Sequence, residues 1–545
     1  MEYKKEYERW LAEPRVDKET RSRLAEMGES EIEDAFYREL EFGTGGLRGE
    51  MGPGTNRMNI YTVRKATQGL ASYIADLGKA AAECGVVIAY DSRNNSELFA
   101  KECARVLSAN SVKVYLFDSL RPTPELSFAV RYLSCTAGIV ITASHNPKEY
   151  NGYKVYQDDG GQVAPEAASR ILERIRTVDI FDGVNLTDEP KVTVIGEELD
   201  SAYLNAVKAE SLGTAIPEDF SVLYTPLHGA GYLAVSRILT EIGIKNLTVL
   251  EAQRLPDGDF PTVKSPNPEN REAFDLAIEY AKEHPVDLIF ATDPDSDRLG
   301  VVVPEKNGEY TVLSGNQTGA ILLEYVLRSI AKKGMPPHPR AVKTIVTTEL
   351  VRRIADKYGV RTVDVLTGFK YIGDKIKEFE CSGESYLFGL EESYGYLKGT
   401  YARDKDAVVA AMLVCEVAAE CRSEGITLSE RLEKIYREFG YHKEKLLNFT
   451  FKGSRGVGKI KEIMDTFRNH PPFDGELSRY DYSAGINGLP PSNVMKYILT
   501  DGWFAARPSG TEPKIKFYLA AHGDSNSACD EVLKRLESEI TALVM

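Results

Sequence analysis

An α/β fold is predicted by the alternation of short β-rich runs with longer helical patterns. After a charged amphipathic beginning, in which 31–40 is helix-like, the runs 86–90, 96–110 and 112–117 give the first strand–helix–strand cycle. The cycle recurs at 221–225, 231–243 and 247–250, and again at 341–348, 350–359 and 362–366. Such alternation builds layered units with mainly parallel strands, because a helix must carry the chain back to start the next strand. Three α/β units therefore precede residue 440. Beyond Gly440 the texture changes: 446–451, 498–505 and 514–521 read as strands, 470–474 as a loop, and 530–544 as a closing amphipathic helix, which makes a separate α+β domain. Length agrees, since 545 residues exceed one hydrophobic core and at roughly 100–200 residues per domain imply three to five.

Composition then narrows the function. Hydrophobic residues make up 43% of the chain, ample for burial, while a net charge of −15 and a pI near 5.2 leave no broad basic surface. No nucleic-acid or membrane partner is expected on that ground, although a small anionic substrate remains compatible where positive groups converge. The seven cysteines (84, 103, 135, 381, 415, 421, 529) are odd in number and nowhere in C-x-x-C spacing, which indicates reduced thiols rather than disulfides or a zinc site. The first six residues have no apolar core of a leader, and the longest apolar run, 407–415, is far short of a membrane span. A soluble, cytoplasmic protein is expected, with a monomer or dimer as its state.

Chemistry concentrates in four loops. Ser144 stands in Ile141-Thr142-Ala143-Ser144-His145-Asn146-Pro147, after an apolar run. Asp293-Pro294-Asp295-Ser296-Asp297-Arg298 follows a second such run, and Glu391-Glu392-Ser393 follows a third. Arg507-Pro508-Ser509-Gly510-Thr511-Glu512-Pro513 lies between two strand-like segments. Ligands collect at the carboxyl ends of strands in open α/β sheets. Spacings of about 150, 100 and 115 residues, each near one domain length, put one loop in each domain, facing a shared cleft.

Asp293, Asp295 and Asp297 alternate, so in extended backbone their carboxylates point one way and suit a hard cation. An EF-hand would need glycine and glutamate where Arg298 and Pro304 stand; Mg²⁺ completed by a phosphate oxygen fits better, and a solvated Asp-rich turn is the alternative. Ser144 could equally be a turn residue. It lacks the G-x-S-x-G context of a hydrolase nucleophile, and His145 is adjacent rather than placed as a triad base, so the simpler chemical role is to carry a phosphoryl group beside the metal. Arg507 with two hydroxyls and a glycine has the parts of a phosphate cradle, or of a surface turn. The stretch 453–460 nearly matches a P-loop, but Ile460 replaces the metal-binding Ser/Thr, which excludes a nucleotide site there.

With these four loops in this order, the chain resembles the α-D-phosphohexomutase superfamily, which includes phosphoglucomutases and phosphomannomutases. Phe42-Gly43-Thr44-Gly45-Gly46-Leu47-Arg48-Gly49, Asn151-Gly152-Tyr153-Lys154, Thr367-Gly368-Phe369-Lys370 and Arg403-Asp404-Lys405-Asp406 extend the match over almost the whole chain. The resemblance implies three similar mixed α/β domains plus a C-terminal α+β domain around a central active-site cleft, here 1–190, 191–305, 306–440 and 441–545. It implies Ser144 as phosphoserine, with a phosphoserine oxygen and Asp293, Asp295 and Asp297 on Mg²⁺. Glu391 and Ser393 would bind sugar hydroxyls; Arg48, Thr367, Gly368, Lys370 and Arg403 would touch substrate or phosphoserine. Arg507, Ser509, Gly510 and Thr511 would hold the phosphate that is not reacting, and Arg298 would stabilise charge on the one that is. Lys154 is the implied general base, with Lys405 or His145 assisting.

The details resemble the bacterial phosphoglucomutases allied to the phosphopentomutase and glucose-bisphosphate-synthase subgroup. Leu390, where that branch usually has glycine, is a departure, and Tyr394 a milder one. The activity expected is interconversion of glucose 1-phosphate and glucose 6-phosphate, with glucose 1,6-bisphosphate as intermediate and activator. Phosphomannomutase, phosphopentomutase, glucose-1,6-bisphosphate synthase, a Mg²⁺-dependent sugar-phosphate phosphatase and a silent sugar-phosphate sensor are the alternatives.

Overall fold

The computed structural model describes the chain except residues 1, 44, 452–453 and 510–513. Thr44 of the first glycine-rich stretch, Gly453 of the rejected P-loop, and Gly510 and Thr511 of the expected phosphate cradle therefore lie outside the described residues.

Four sheets follow one another along the chain. The first contains β1 (Gly46–Glu50), β2 (Val86–Tyr90), β3 (Val114–Phe117), β4 (Ala137–Ile141), β5 (Tyr150–Gln157) and β6 (Val192–Ile195), in the order β1-β5-β4-β2-β3-β6. The second contains β7 (Ser221–Thr225), β8 (Asn246–Val249), β9 (Leu288–Thr292), β10 (Leu299–Pro304) and β11 (Tyr310–Leu313), ordered β11-β10-β9-β7-β8. The third orders β12 (Pro339–Thr344), β13 (Arg361–Val365), β14 (Ser385–Glu391) and β15 (Gly395–Leu397) as β13-β12-β14-β15. The fourth, from β16 (Tyr441–Thr450), β17 (Glu476–Asp481), β18 (Met495–Leu499), β19 (Gly502–Pro508) and β20 (Lys514–Gly523), is antiparallel throughout. Pairing of β6 with β3 and of β11 with β10 carries the first sheet past residue 190 and the second past 305.

The first three sheets share a device that helix–strand alternation does not reveal. Each has a parallel centre, and in each one parallel strand (β4, β9, β14) doubles back into an antiparallel neighbour (β5, β10, β15). The turn between the two is the chemical loop. A left-handed, non-glycine residue sits in every one: Ser144 (φ 52°), Ser296 (φ 53°) and Tyr394 (φ 65°). That backbone costs roughly 1–3 kcal/mol per residue and persists where surrounding bonds impose it. The run 498–505, expected as one strand, is instead a hairpin of β18 and β19. Thr500 and Asp501 form the turn, which is held as Asp501 O accepts the His522 N–H at 2.9 Å, and Gly502 opens β19 where a Cβ would run into Ala520 O.

Burial explains how the units hold together. One continuous apolar core joins side chains of the first three sheets, among them Val87, Phe117, Val222, Tyr224, Ala341 and Val342. The helix Ala407–Ser423 is buried on every side over most of its length, as an apolar sequence without a polar face requires. Asp406 caps it by accepting the N–H groups of Val408 and Val409, which fixes Lys405 at the entrance. The fourth unit has its own core, including Phe467, Tyr497, Phe504, Phe517 and Leu536. A smaller apolar patch, Ile345, Val346 and Leu366 against Trp503, Ala505 and Tyr518, joins it to the third.

Gly152 shows how tightly the first loop is built. A Cβ there would lie 2.5 Å from Thr142 O and 2.9 Å from Leu47 O, both backbone atoms that cannot swing aside. Gly152→Ala is expected to lower the unfolding free energy by about 1–3 kcal/mol. A urea titration with an unchanged midpoint would contradict this packing.

Candidate active site

Ser144 and the aspartate loop meet at the junction of the first and second units. Ser144 Oγ donates to Asp293 Oδ2 at 2.6 Å and lies 3.2 Å from His145 Nδ1. Lys154 Nζ, carried by β5, donates to Asp295 Oδ2 at 3.0 Å, and Lys405 Nζ stands 2.8 Å from Asp297 Oδ2. Arg298 pairs with Glu269 and approaches Asp297 Oδ1 at 3.9 Å. Backbone N–H groups of Asp297 and Arg298 donate to Asp293 Oδ1 at 3.1 and 3.0 Å, closing the loop on its first carboxylate.

Three buried carboxylates in so small a volume cannot all be comfortably ionised. Burial, then Asp295 and Asp297, push Asp293 well above the usual carboxylate range; burial and Asp295 raise Asp297 also. Burial opposes ionisation of Asp295 too, but Lys154 and Lys405 hold it well below that range. One oxygen from each aspartate lies within 4.8 Å of the others, and Asp295 Oδ1 and Asp297 Oδ1 are buried without a hydrogen-bond partner. Hard oxygens with uncommitted lone pairs are the donor set of a divalent cation such as Mg²⁺. The residues present fit such an ion. Burial, then Arg298 and Arg48, hold the His145 imidazole well below its usual range and so favour its neutral form. Lys405, against the pull of burial, is held charged by Asp297, Asp404 and Glu391.

A cleft of about 930 Å³ opens above this centre and reaches all four units. Arg48, His145, Arg298, Thr367, Gly368, Lys370, Glu391, Ser393, Lys405 and Arg507 line it, so most residues singled out from the sequence share one cavity. Gly368 has φ +119°, a backbone open to glycine that places the helix Lys370–Ser382 with its first residue at the cleft. Burial pushes the Glu391 carboxyl up to about 7, with Lys405 opposing. Glu392 also lines the cleft, its carboxylate accepting from Thr344 and Thr347 at 2.9 and 3.2 Å. Ser509 follows β19, two residues beyond Arg507, its N–H donating to Lys514 O at 2.7 Å.

Arg403 does not join this cavity. Its guanidinium is buried, bonded to Glu380 at 2.6 Å and to the carbonyls of Thr400 and Ala402, because the chain turns there to enter the buried helix. The structure also brings in residues the sequence reading missed. Lys516, directly opposite Arg507 on the neighbouring strand, adds positive charge at the fourth-unit end, and Glu269 faces Arg298. Thr123 donates to Asp295 Oδ2 at 3.0 Å. Lys516 sits in a strand with a readable period of two; Glu269 lies in a Pro/Asn-rich loop whose composition says nothing about its facing.

Known proteins share this arrangement. Residues 39–180, 201–308, 314–439 and 446–538 match, in order, α/β/α domains I, II and III and the C-terminal domain of phosphoglucomutase/phosphomannomutase. A phosphoglucomutase of Staphylococcus haemolyticus is 38% identical over 513 residues, which cover 90% of this chain and 92% of the relative. The chain belongs to the phosphoglucomutase/phosphomannomutase family. Another phosphoglucomutase of this family, from Staphylococcus aureus USA300, is 38% identical over 90% of this chain and 92% of its own. The open form of Paramecium parafusin, a phosphoglucomutase, superposes with a TM-score of 0.70 at 19% identity, covering 93% and 96% of the two chains. A phosphoglucomutase/phosphomannomutase family protein of Burkholderia thailandensis gives 0.70 at 19%, covering 92% and 97%. At those identities the two structures speak for the family's fold.

Two outcomes follow from the electrostatics. Mg²⁺ or Mn²⁺ at about 100 times its dissociation constant should stabilise the fold by about 2.7 kcal/mol. A melting temperature that rises with the ion, falls with chelator and no longer responds in Asp295→Asn is the result expected; an equal response in that variant would remove the assignment. Glu444, at the cleft wall, has a carboxyl pushed up to about 7 by burial and an Oε1 without a partner. Its raised folded value means that stability is lost as pH climbs from the unfolded value towards 7 and beyond. Glu444→Gln should therefore be more stable than the parent at pH 8, by on the order of 1–3 kcal/mol, with the difference vanishing near pH 5.

Proposed function

We propose that this family member interconverts α-D-glucose 1-phosphate and glucose 6-phosphate by passing a phosphoryl group through Ser144 and enzyme-bound glucose 1,6-bisphosphate. The observation that carries the reading is the Ser144 hydroxyl, 2.6 Å from a buried aspartate of the metal-type cluster, beneath a cleft lined by Glu391, Ser393 and Arg507. The two staphylococcal relatives, both named phosphoglucomutases, favour glucose among the sugars. In this scheme the units 1–190, 191–305, 306–440 and 441–545 each lend one loop.

With Ser144 phosphorylated, the free hydroxyl oxygen of the sugar attacks phosphorus as the bond to Ser144 Oγ breaks. The hydroxyl proton passes to Lys154 in its neutral form and on to the freed Ser144 Oγ, with His145 beside Ser144 Oγ assisting and Lys405, held charged by Asp297, Asp404 and Glu391, assisting through its charge. The bisphosphate then turns round and returns its other phosphoryl group to Ser144. Mg²⁺ on Asp293, Asp295, Asp297 and a phosphoserine oxygen would supply charge neutralisation at the reacting phosphate. Arg298 is placed to share that role. Arg507, Ser509, Gly510 and Thr511, with Lys516 nearby, hold the remote phosphate, and that binding energy orients the hydroxyl that reacts. Glu391 and Ser393 accept and donate at the sugar ring, while Arg48, Lys370, Thr367 and Gly368 complete the contacts. A second phosphate anchor serves isomerisation, since a hydrolase would have no use for keeping the bisphosphate.

Ser144→Ala is the decisive variant: glucose 6-phosphate formation from glucose 1-phosphate should vanish while circular dichroism stays parental. Intact mass should show one phosphoryl group on the parent after incubation with glucose 1,6-bisphosphate and none on the variant. Parental turnover without Ser144 would end the proposal.

A further inference from the structure

Arg93 takes no part in the chemistry above, yet it is built into the loop that carries Ser144. It follows β2 at the carboxyl end of the first sheet, in Tyr90-Asp91-Ser92-Arg93, and is 3% exposed. Its guanidinium donates to four backbone carbonyls of one loop: Ser144 at 2.5 Å, Pro147 at 2.9 Å, Tyr150 at 3.0 Å, and Asn146. Asp91 steadies the same side chain through Nε at 3.5 Å and the Arg93 N–H at 2.9 Å. Its Oδ2 also accepts from Thr142 Oγ1 at 2.6 Å, and Thr142 Oγ1 in turn accepts the Ser144 N–H at 2.8 Å. Ser144 is thus gripped on both sides of its α-carbon, the N–H through Thr142 and Asp91, the carbonyl through Arg93.

This grip accounts for the left-handed backbone of Ser144, which a serine does not choose unaided. A second contact extends it across the domain boundary. The Arg93 guanidinium stacks over the Phe260 ring at 5.1 Å, and Phe260 itself is left-handed at φ 45°. Five residues on, Ser265 Oγ donates to His145 O at 2.8 Å. The segment 260–265 of the second unit therefore presses the phosphoserine loop from the side opposite β2.

We infer that Arg93 is a positioning residue for phosphoryl transfer: it holds Ser144 Oγ at the aspartate cluster and ties that placement to the second unit through Phe260. The inference rests on Ser144 being the phosphoryl carrier. Arginine suits the task because its planar fork serves several acceptors at once, whereas the lysine ammonium offers fewer directions and no stacking plane. Neither Arg93 nor Asp91 lines the cleft, so substrate affinity should not depend on them.

The test uses full-length Arg93→Lys and Arg93→Ala. A displacement of the reacting oxygen by about an ångström is worth about 100-fold in rate. For Arg93→Ala, kcat should fall by about that factor with KM for glucose 1-phosphate unchanged, and phosphorylation of Ser144 by glucose 1,6-bisphosphate should slow in parallel. Arg93→Lys should fall between the two. Guanidinium, added well below denaturing concentrations, should restore part of the rate to Arg93→Ala and none to Arg93→Lys, whose side chain fills the space. Parental kcat in Arg93→Ala overturns the inference. So does a joint loss of kcat, KM and melting temperature in both variants that guanidinium leaves untouched, which would assign Arg93 to folding alone. Failure of the phosphoserine scheme itself reads out separately, as a parent enzyme that never carries phosphate on Ser144.

Discussion

Concentrated negative charge in a dry place is the constraint around which the molecule is arranged. Asp293, Asp295 and Asp297 are buried, and no fold tolerates that without compensation. Compensation arrives from three directions: Lys154 from the first unit, Arg298 from the aspartate loop itself, and Lys405 from the entrance to the buried helix. Each cation has to be delivered by a separate element, so the first three units must pack to a common point. The aspartate cluster is both a set of oxygens that fits a cation and a reason for the domains to meet.

The delivery relies on one local solution used three times. A parallel strand brings the chain to the carboxyl edge of its sheet, a strained turn presents a polar side chain, and an antiparallel strand takes the chain away. Because both sides of the turn are hydrogen-bonded into a sheet, the turn cannot relax its left-handed residue. Loops tethered at one end only would have that freedom, and the hydroxyl and carboxylates would lose their common aim.

Much of this was legible in the residues. Regular alternation of 86–90, 96–110 and 112–117 announced the first layered unit, and the strands at 137–141, 288–292 and 385–391 fell where apolar runs ended in chemical loops. The return strands were harder to see. After Asp297 the sequence Arg298-Leu299-Gly300-Val301 reads equally well as a strand paired either way, since direction is set by partners far along the chain. The hairpin at Thr500-Asp501 is hidden in the sequence because apolar residues flank the two polar ones on both sides. Among site residues, hydroxyls and carboxylates at strand ends announced themselves, whereas Arg93 and Glu269 work through backbone carbonyls and a facing guanidinium. Arg403 illustrates the reverse: it sits in a charged motif beside Lys405, but the buried helix takes the backbone through a turn that points neighbouring side chains apart.

The separate core of the fourth unit has a mechanical meaning. The first three units share one continuous apolar interior, while the fourth is cored by its own aromatic residues and leans on the third through a small patch around Trp503. A sugar carrying a phosphate near each end would thus be held by two bodies of unequal stiffness. The bisphosphate would act as a strut between them, so that the ligand itself completes a four-part structure which the chain alone leaves joined at a narrow waist.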